Sequence, residues 1–135
     1  MTPNEYLNDE TRQWLAKAYS DLRAAEVALG ADLAEVAVYH CQQAAEKTLK
    51  AFLVFRQEPF RKTHNLKELG QACLALDPNL PSSVVESFHL TEYAWIFRYP
   101  GSPRDLEAGE AETALRAARR LYEDLAGRAP ADARP

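Results

Sequence analysis

Three groups of side chains in this sequence have the types and spacing for chemistry. Tyr39, Gln43, Glu46 and Lys50 are separated by 4, 3 and 4 positions, the repeat that aligns side chains along one helix face. They form a polar stripe on a segment otherwise rich in Ala, Val and Leu. Two readings fit it. Glu46 and Lys50 can form an i,i+4 ion pair worth about 0.2–0.5 kcal/mol, with Gln43 satisfying a neighbouring helix. Alternatively the stripe lines a cleft or subunit interface, where polar groups find partners. The second group is Lys62-Thr63-His64-Asn65-Leu66, a basic loop opening onto a helix N-terminus, suited either to an anion or simply to an Asn65 cap with His64 packed over it. The third is Arg98-Tyr99-Pro100, where a guanidinium beside an aromatic can hold a phosphate and stack a base, or form a structural ion pair.

If the Arg98 end meets the stripe, the set suits a nucleotide. Lys50 then supplies a point charge, Arg98 a bidentate phosphate fork and Tyr99 a stacking face, while Glu46 and Gln43 orient Lys50 and offer hydrogen bonds. The competing arrangement is a Glu46–Arg98 salt bridge that only holds helices together.

Other chemistries are excluded or unsupported. The five glycines cannot be written as Gly-x-Gly-x-x-Gly or as a Walker-type phosphate loop. His40, His64 and His89 are isolated, and Cys41 and Cys73 lack zinc-ligand spacing, so neither a metal nor a cofactor is expected and both thiols are read as buried and reduced. The net charge of −4 opposes a global nucleic-acid footprint, yet residues 46–67 carry six cations against two carboxylates, enough asymmetry to attract an anion locally. No window approaches the ~18 apolar residues of a membrane span, and Met1–Glu5 is unlike a signal peptide. The chain is therefore read as cytoplasmic.

The elements that must position these groups are helical. With 135 residues, 47% of them hydrophobic and 27% charged, one ordinary domain is expected. Leu15, Ala18, Leu22, Ala25 and Leu29 mark a first helix capped by Gly30. A second runs from about Asp32, its N-cap, to Arg56 and carries small apolar residues on several sides, as a central helix would. Asn65 with Glu68 opens a short helix ending before Pro78. Val84, Phe88, Thr91 and Trp95 predict another long helix after Pro81, broken at Arg98–Pro103, and a last one spans about Leu106–Ala126. The sum is an all-α antiparallel bundle of four long helices and one short one over residues 1–126, with 127–135 a frayed, disordered tail. A central helix apolar on several faces and the aromatic run Phe88, Tyr93, Trp95 and Phe97 lead to a homodimer as the expected state.

Taken in order, Trp14, Ala18, Asp21-Leu22 and Ala25, then Gln42-Gln43-Ala44-Ala45-Glu46-Lys47 with Lys50-Ala51, then Lys62-Thr63-His64-Asn65-Leu66 with Leu69, then Arg98-Tyr99-Pro100 resemble the HEPN domain family. The likeness spans most of residues 9–126. It implies a compact, usually dimeric helical bundle. Many such prokaryotic domains accompany a minimal nucleotidyltransferase, often as a toxin–antitoxin pair, and others are metal-independent ribonucleases in which an Arg is followed by a His with four to six residues between them. Here Arg98 matches the Arg, but Pro103, Arg104 and Asp105 stand where the His would fall. Without that imidazole no general acid or base is evident. The resemblance therefore implies a non-catalytic module, with Gln43, Glu46, Lys50, His64, Arg98 and Tyr99 binding a nucleotide, an RNA or a nucleotidyltransferase partner. A divergent ribonuclease using Arg98 with His64 or another residue, and a purely structural assembly subunit, are the alternatives.

Overall fold

The computed structural model describes residues 1–135. Helix α1 (Pro3–Gly30) starts from a capping box: the Glu5 amide donates to Thr2 Oγ1 and the Glu5 carboxylate accepts from the Thr2 amide, with Pro3 at the first helical position. Such a cap contributes about 1 kcal/mol. Three residues then turn the chain into α2 (Ala34–Phe55), a connection so short that the two helices must lie side by side and antiparallel. The turn is a Schellman motif. Leu33 N–H donates to Ala28 O at 2.8 Å and Asp32 N–H to Leu29 O at 3.2 Å, with Asp32 in the left-handed region at φ 60°. Asp32 therefore closes α1 instead of capping α2, which has no side-chain N-cap. A short polar side chain tolerates that backbone. The same device ends α2, where Glu58 N–H reaches Leu53 O at 2.9 Å and Gln57 holds φ 56°.

Twelve of the 22 residues of α2 are buried, against seven of 28 in α1. The sequence pattern placed α2 at the centre, and there it lies, packed on α1, α3 (Leu66–Leu76), α5 (Glu110–Ala126) and the segment 88–94. Its Val38, Cys41, Ala45 and Leu49 form one continuous core with Leu22 and Ala25 of α1, Leu66 and Leu69 of α3, and Ala118 and Leu121 of α5. Both thiols lie in this core, and burial pushes each up to about 12. Helix α3 is capped by Asn65, whose Oδ1 accepts from Glu68 N–H at 3.1 Å, as its sequence indicates.

The architecture is all-helical, with five helices and no strand, but the expected long helix after Pro81 is absent. One α-turn, α4 (Ser83–Glu86), gives way to a 3₁₀ helix over Phe88–Ala94. Ser87 Oγ donates to Val84 O at 2.7 Å and Ser83 Oγ to Asp124 at 2.6 Å, side-chain bonds that compete with helix propagation, while Val84, Val85 and Thr91 are β-branched. Thr91 Oγ1 accepts the otherwise unpaired Leu66 amide of α3 at 3.1 Å. Gly70 lets α3 approach this segment closely, since a Cβ there would lie 2.3 Å from the Phe88 ring. Helix α5 begins at Glu110 rather than Leu106, because Gly109 at φ 81° interrupts the chain just before it.

Residues 127–135, expected to fray, lie along α1 as a 3₁₀ turn at Ala131–Ala133. Ala133 is fully buried in a small cluster with Leu15, Ala51, Ala126 and Ala129. Arg134 ties this segment to the carbonyls of Ala129 (2.8 Å) and Gly127 (2.9 Å), and Arg12 of α1 donates to Asp132 O. Four small alanines carry no periodicity that a sequence reading could register. No helix is long and apolar enough to cross a membrane.

Candidate functional site

The polar stripe of α2 divides into an inner and an outer part. At its inner end the Glu46 carboxylate is buried and fully engaged. Oε2 accepts from Lys50 Nζ at 3.0 Å, and Oε1 accepts from His64 Nδ1 at 2.7 Å and from Gln42 Nε2 at 3.3 Å. Gln42 also donates to the His64 carbonyl at 3.0 Å, and Gln43 donates to Gln42 Oε1 at 2.8 Å. The α2–α3 loop is thus fastened to α2 through both the ring and the backbone of His64. Lys50 Nζ sits 5.8 Å from the Trp14 ring centroid and 5.6 Å from that of Phe60, two rings packed edge to face. Burial would raise the Glu46 pKa, but the hydrogen bonds from His64 and Lys50, the Lys50 charge and the Gln42 bond together hold it below 4.5. Every charge in this network is matched, and the Lys50 side chain retains only 11% of its exposure.

One helical turn outward the character changes. The Arg98 guanidinium carbon stands 4.6 Å from the centroid of Tyr39 and 5.5 Å from that of Tyr99. It donates to the Ala94 carbonyl at 3.2 Å and forms none of the chain's ion pairs. Tyr99 is 66% exposed, and Trp95, which lines the same shallow surface pocket, is also open. His40 also meets Tyr39 edge to face, at 5.4 Å between ring centroids. Its Nδ1 donates to Asp21 of α1 at 2.8 Å, and the second Asp21 oxygen accepts from Lys47 at 2.6 Å. Arg98 therefore presents a guanidinium lying over aromatic rings with no carboxylate to neutralise it, an arrangement that favours a phosphate or carboxylate ligand.

The loop displaying Arg98 and Tyr99 is anchored at its far end. Arg104 donates to both oxygens of Glu110 (2.9 and 2.7 Å) and to Glu92, and its guanidinium lies 5.1 Å from the Phe97 ring. Tyr93 O–H also donates to Glu110, as does Glu107 N–H at 2.9 Å. The Arg104 bond leads the forces that bring the Glu110 pKa down to about 2, while burial and the Glu110 charge push the Tyr93 phenol up. An Arg here, six residues after Arg98, stitches the loop to α5. It cannot serve as an acid or base, because a guanidinium keeps its proton.

The structure gathers Gln43, Glu46, Lys50 and His64 into one network and places Arg98 with Tyr99 in another, joined through Tyr39 and Gln43 on the same helix face. The expected convergence of Arg98 on Lys50 does not occur. Their anchor points on α2, Tyr39 and Lys50, are separated by about 16.5 Å at 1.5 Å per residue. Nor is there a Glu46–Arg98 bridge, since both Glu46 oxygens are taken. Of the aromatic run, Tyr93 is buried and only Trp95 points outward. Sequence reasoning missed Gln42, the His40–Asp21–Lys47 cluster and the Arg104 clamp. The seven-residue spacing of His40 and Lys47, two turns of one helix, is the signal that could have found the second.

Comparison with known proteins agrees with this architecture. A family model of the HEPN domain matches residues 11–128. The crystal structure of TT1696 from Thermus thermophilus is similar in fold, with a TM-score of 0.74 and 31% sequence identity over 87% of this chain and 96% of that one. No curated protein matches. With the match covering nearly the whole bundle, from the first half of α1 to just past α5, the chain belongs to the HEPN domain family.

Proposed function

We propose that this domain is a non-catalytic, homodimeric HEPN module that binds a nucleotide phosphate through Arg98, with Tyr99 as the stacking face for the base and Tyr39 and Gln43 as the floor. The observation that carries the reading is the Arg98 guanidinium, lying over two tyrosine rings and lacking any carboxylate partner. Lys50 and Glu46 are not ligands in this reading. Their pairing is internal, and their role is to hold α2 and the α2–α3 loop together, so the candidate set contracts to Arg98, Tyr99 and Gln43 with Tyr39 added. The nucleotide can be free or carried by a minimal nucleotidyltransferase, the partner that the family resemblance implies and the one that a toxin–antitoxin pairing requires. Exposed Trp95 and Tyr99 next to Arg98 supply an apolar rim for such a partner or for the second copy. Titration calorimetry with ATP tests the site. Binding to the parent, with loss of at least tenfold in affinity for Arg98→Ala at unchanged melting temperature, is the expected result; equal binding by the variant refutes the assignment. Light scattering should give twice 15.2 kDa.

A second reading, a divergent ribonuclease, has one observation in its favour. Arg98 and His40 both contact the same tyrosine, Tyr39, and Asp21 orients the imidazole with its Nδ1 bonded. Cleavage of single-stranded RNA in EDTA, abolished by both Arg98→Ala and His40→Ala, would replace the binding reading with this one.

A further inference from the structure

At the opposite end of α2 from Arg98, about 18 Å along the axis from Tyr39 to Ala51 at 1.5 Å per residue, the helix ends enclose a pocket of about 290 Å³. Its volume is at the lower end of the range for small-molecule sites. Leu15, Ala51, Leu125 and Ala129 form the floor, and Phe52 and Phe55 form one wall. Thr11 also borders it, but its hydroxyl proton is spent on the Leu7 carbonyl at 2.8 Å, so the interior offers no free donor from that side. The mouth is different in kind. Arg56 and Arg128 stand there against a single carboxylate, Asp77. Arg128 is in none of the ion pairs and its guanidinium makes no hydrogen bond, while Arg56 is over the Phe52 ring at 5.7 Å and reaches only the Leu76 carbonyl, at 3.4 Å. The C-terminal segment completes the lining, because Arg134 clamps the carbonyls of Gly127 and Ala129 and thereby fixes the Ala129 part of the floor.

We infer that this pocket is a second binding site, for a small arylalkanoate. An apolar body fits the floor, an aromatic ring gains edge contacts from the two phenylalanines, and the single surplus positive charge at the mouth matches one carboxylate. Asp77 disfavours a dianion, which separates this site chemically from the phosphate site at Arg98. The inference does not depend on that site, and the experiment is independent of it.

The probe is 4-phenylbutyrate, compared with its uncharged amide, by calorimetry and amide chemical-shift mapping of the full chain. The acid is expected to bind one-to-one, shifting the amides of Ala51, Leu125 and Ala129, and to bind about tenfold more tightly than the amide, the scale of one charge-assisted hydrogen bond. Arg128→Gln should erase that preference without changing the melting temperature, since Arg128 is an exposed side chain. Ala129→Phe should fill the pocket and remove binding of both compounds. Absence of binding at millimolar acid, equal affinity for acid and amide, or undiminished binding by a folded Ala129→Phe each overturns the inference. If Ala129→Phe does not fold, the acid-to-amide ratio in Arg128→Gln alone decides it.

Discussion

Glu46 and Arg98 lie near the same face of the same bundle, yet one charge is buried among its partners and the other lies against two aromatic rings with none of opposite sign. The contrast separates two uses of a polar residue on a helix. Burial obliges Glu46 to be satisfied completely, because an isolated buried carboxylate would cost several kcal/mol, and the satisfying groups come from its own helix (Gln42, Lys50) and from the next loop (His64). Arg98 is exposed and needs no such compensation. It lies instead over two rings that contact the guanidinium without neutralising it. Where charges are matched, stability is the consequence; where one is held in place unmatched, a charge is left over for the ligand proposed above.

The sharpest way to break this comparison is to remove Glu46. Glu46→Ala leaves Lys50 buried without its anion and frees the His64 loop, and should destabilise the fold by about 3–5 kcal/mol, the usual scale for one half of a buried pair. Urea unfolding measures it. A loss no larger than that of an ordinary surface substitution would mean that the inner network does not hold the bundle.

Acid should reveal the same dependence. Glu46 and Glu110 both have folded pKa values below 4.5, Glu110 at about 2. A depressed carboxylate contributes its full stability above its unfolded value and loses it as the pH falls through the folded one. Stability should therefore be level above about pH 5 and decline from about 4.5 toward 2. Glu110→Gln should flatten the lower part of that decline in a melting-temperature series, and an unaltered acid limb would remove the Arg104–Glu110 clamp from the account.

Tyr93→Phe is a milder probe of that clamp. It deletes one buried phenol bond to Glu110 and should cost about 1 kcal/mol. Faster amide exchange in residues 98–109, beyond what that modest global loss produces elsewhere, is the expected signature, with the fold retained because Arg104 still holds Glu110.

How much of this was legible in the sequence follows from where each signal resides. The helices α1, α2, α3 and α5 announce themselves by periodicity over eleven or more residues, and Asn65 by its capping pattern. The 81–97 segment also has helical periodicity, but Ser83, Ser87 and Thr91 spend their hydroxyls on tertiary and local bonds that no spacing reveals, and a 3₁₀ turn results. The pairing of Glu46 with Lys50 is evident from i,i+4 spacing alone. That Glu46 would choose His64 over Arg98 depends on the path of the α2–α3 loop, and that Arg98 would choose Tyr39 depends on the shortened segment before it. Both are tertiary outcomes.

The smallest expected effect on stability is the most informative about function. Arg98→Ala removes an exposed side chain with no carboxylate partner and one 3.2 Å bond to its own segment, so unfolding should change by no more than about 0.5 kcal/mol. Arg98→Lys goes further in discriminating mechanism. It keeps the positive charge but not the planar fork or the stacking on Tyr39 and Tyr99. If ATP is held by charge alone, Lys restores the affinity lost in Arg98→Ala. If the flat guanidinium is the recognition element, Lys should recover only a minor part of it, and Tyr39→Leu, which leaves Arg98 charged but unsupported, should weaken binding to a similar degree. Full recovery by Lys together with an indifferent Tyr39→Leu would make Arg98 a plain surface cation, and the contrast with Glu46 would then be one of burial alone.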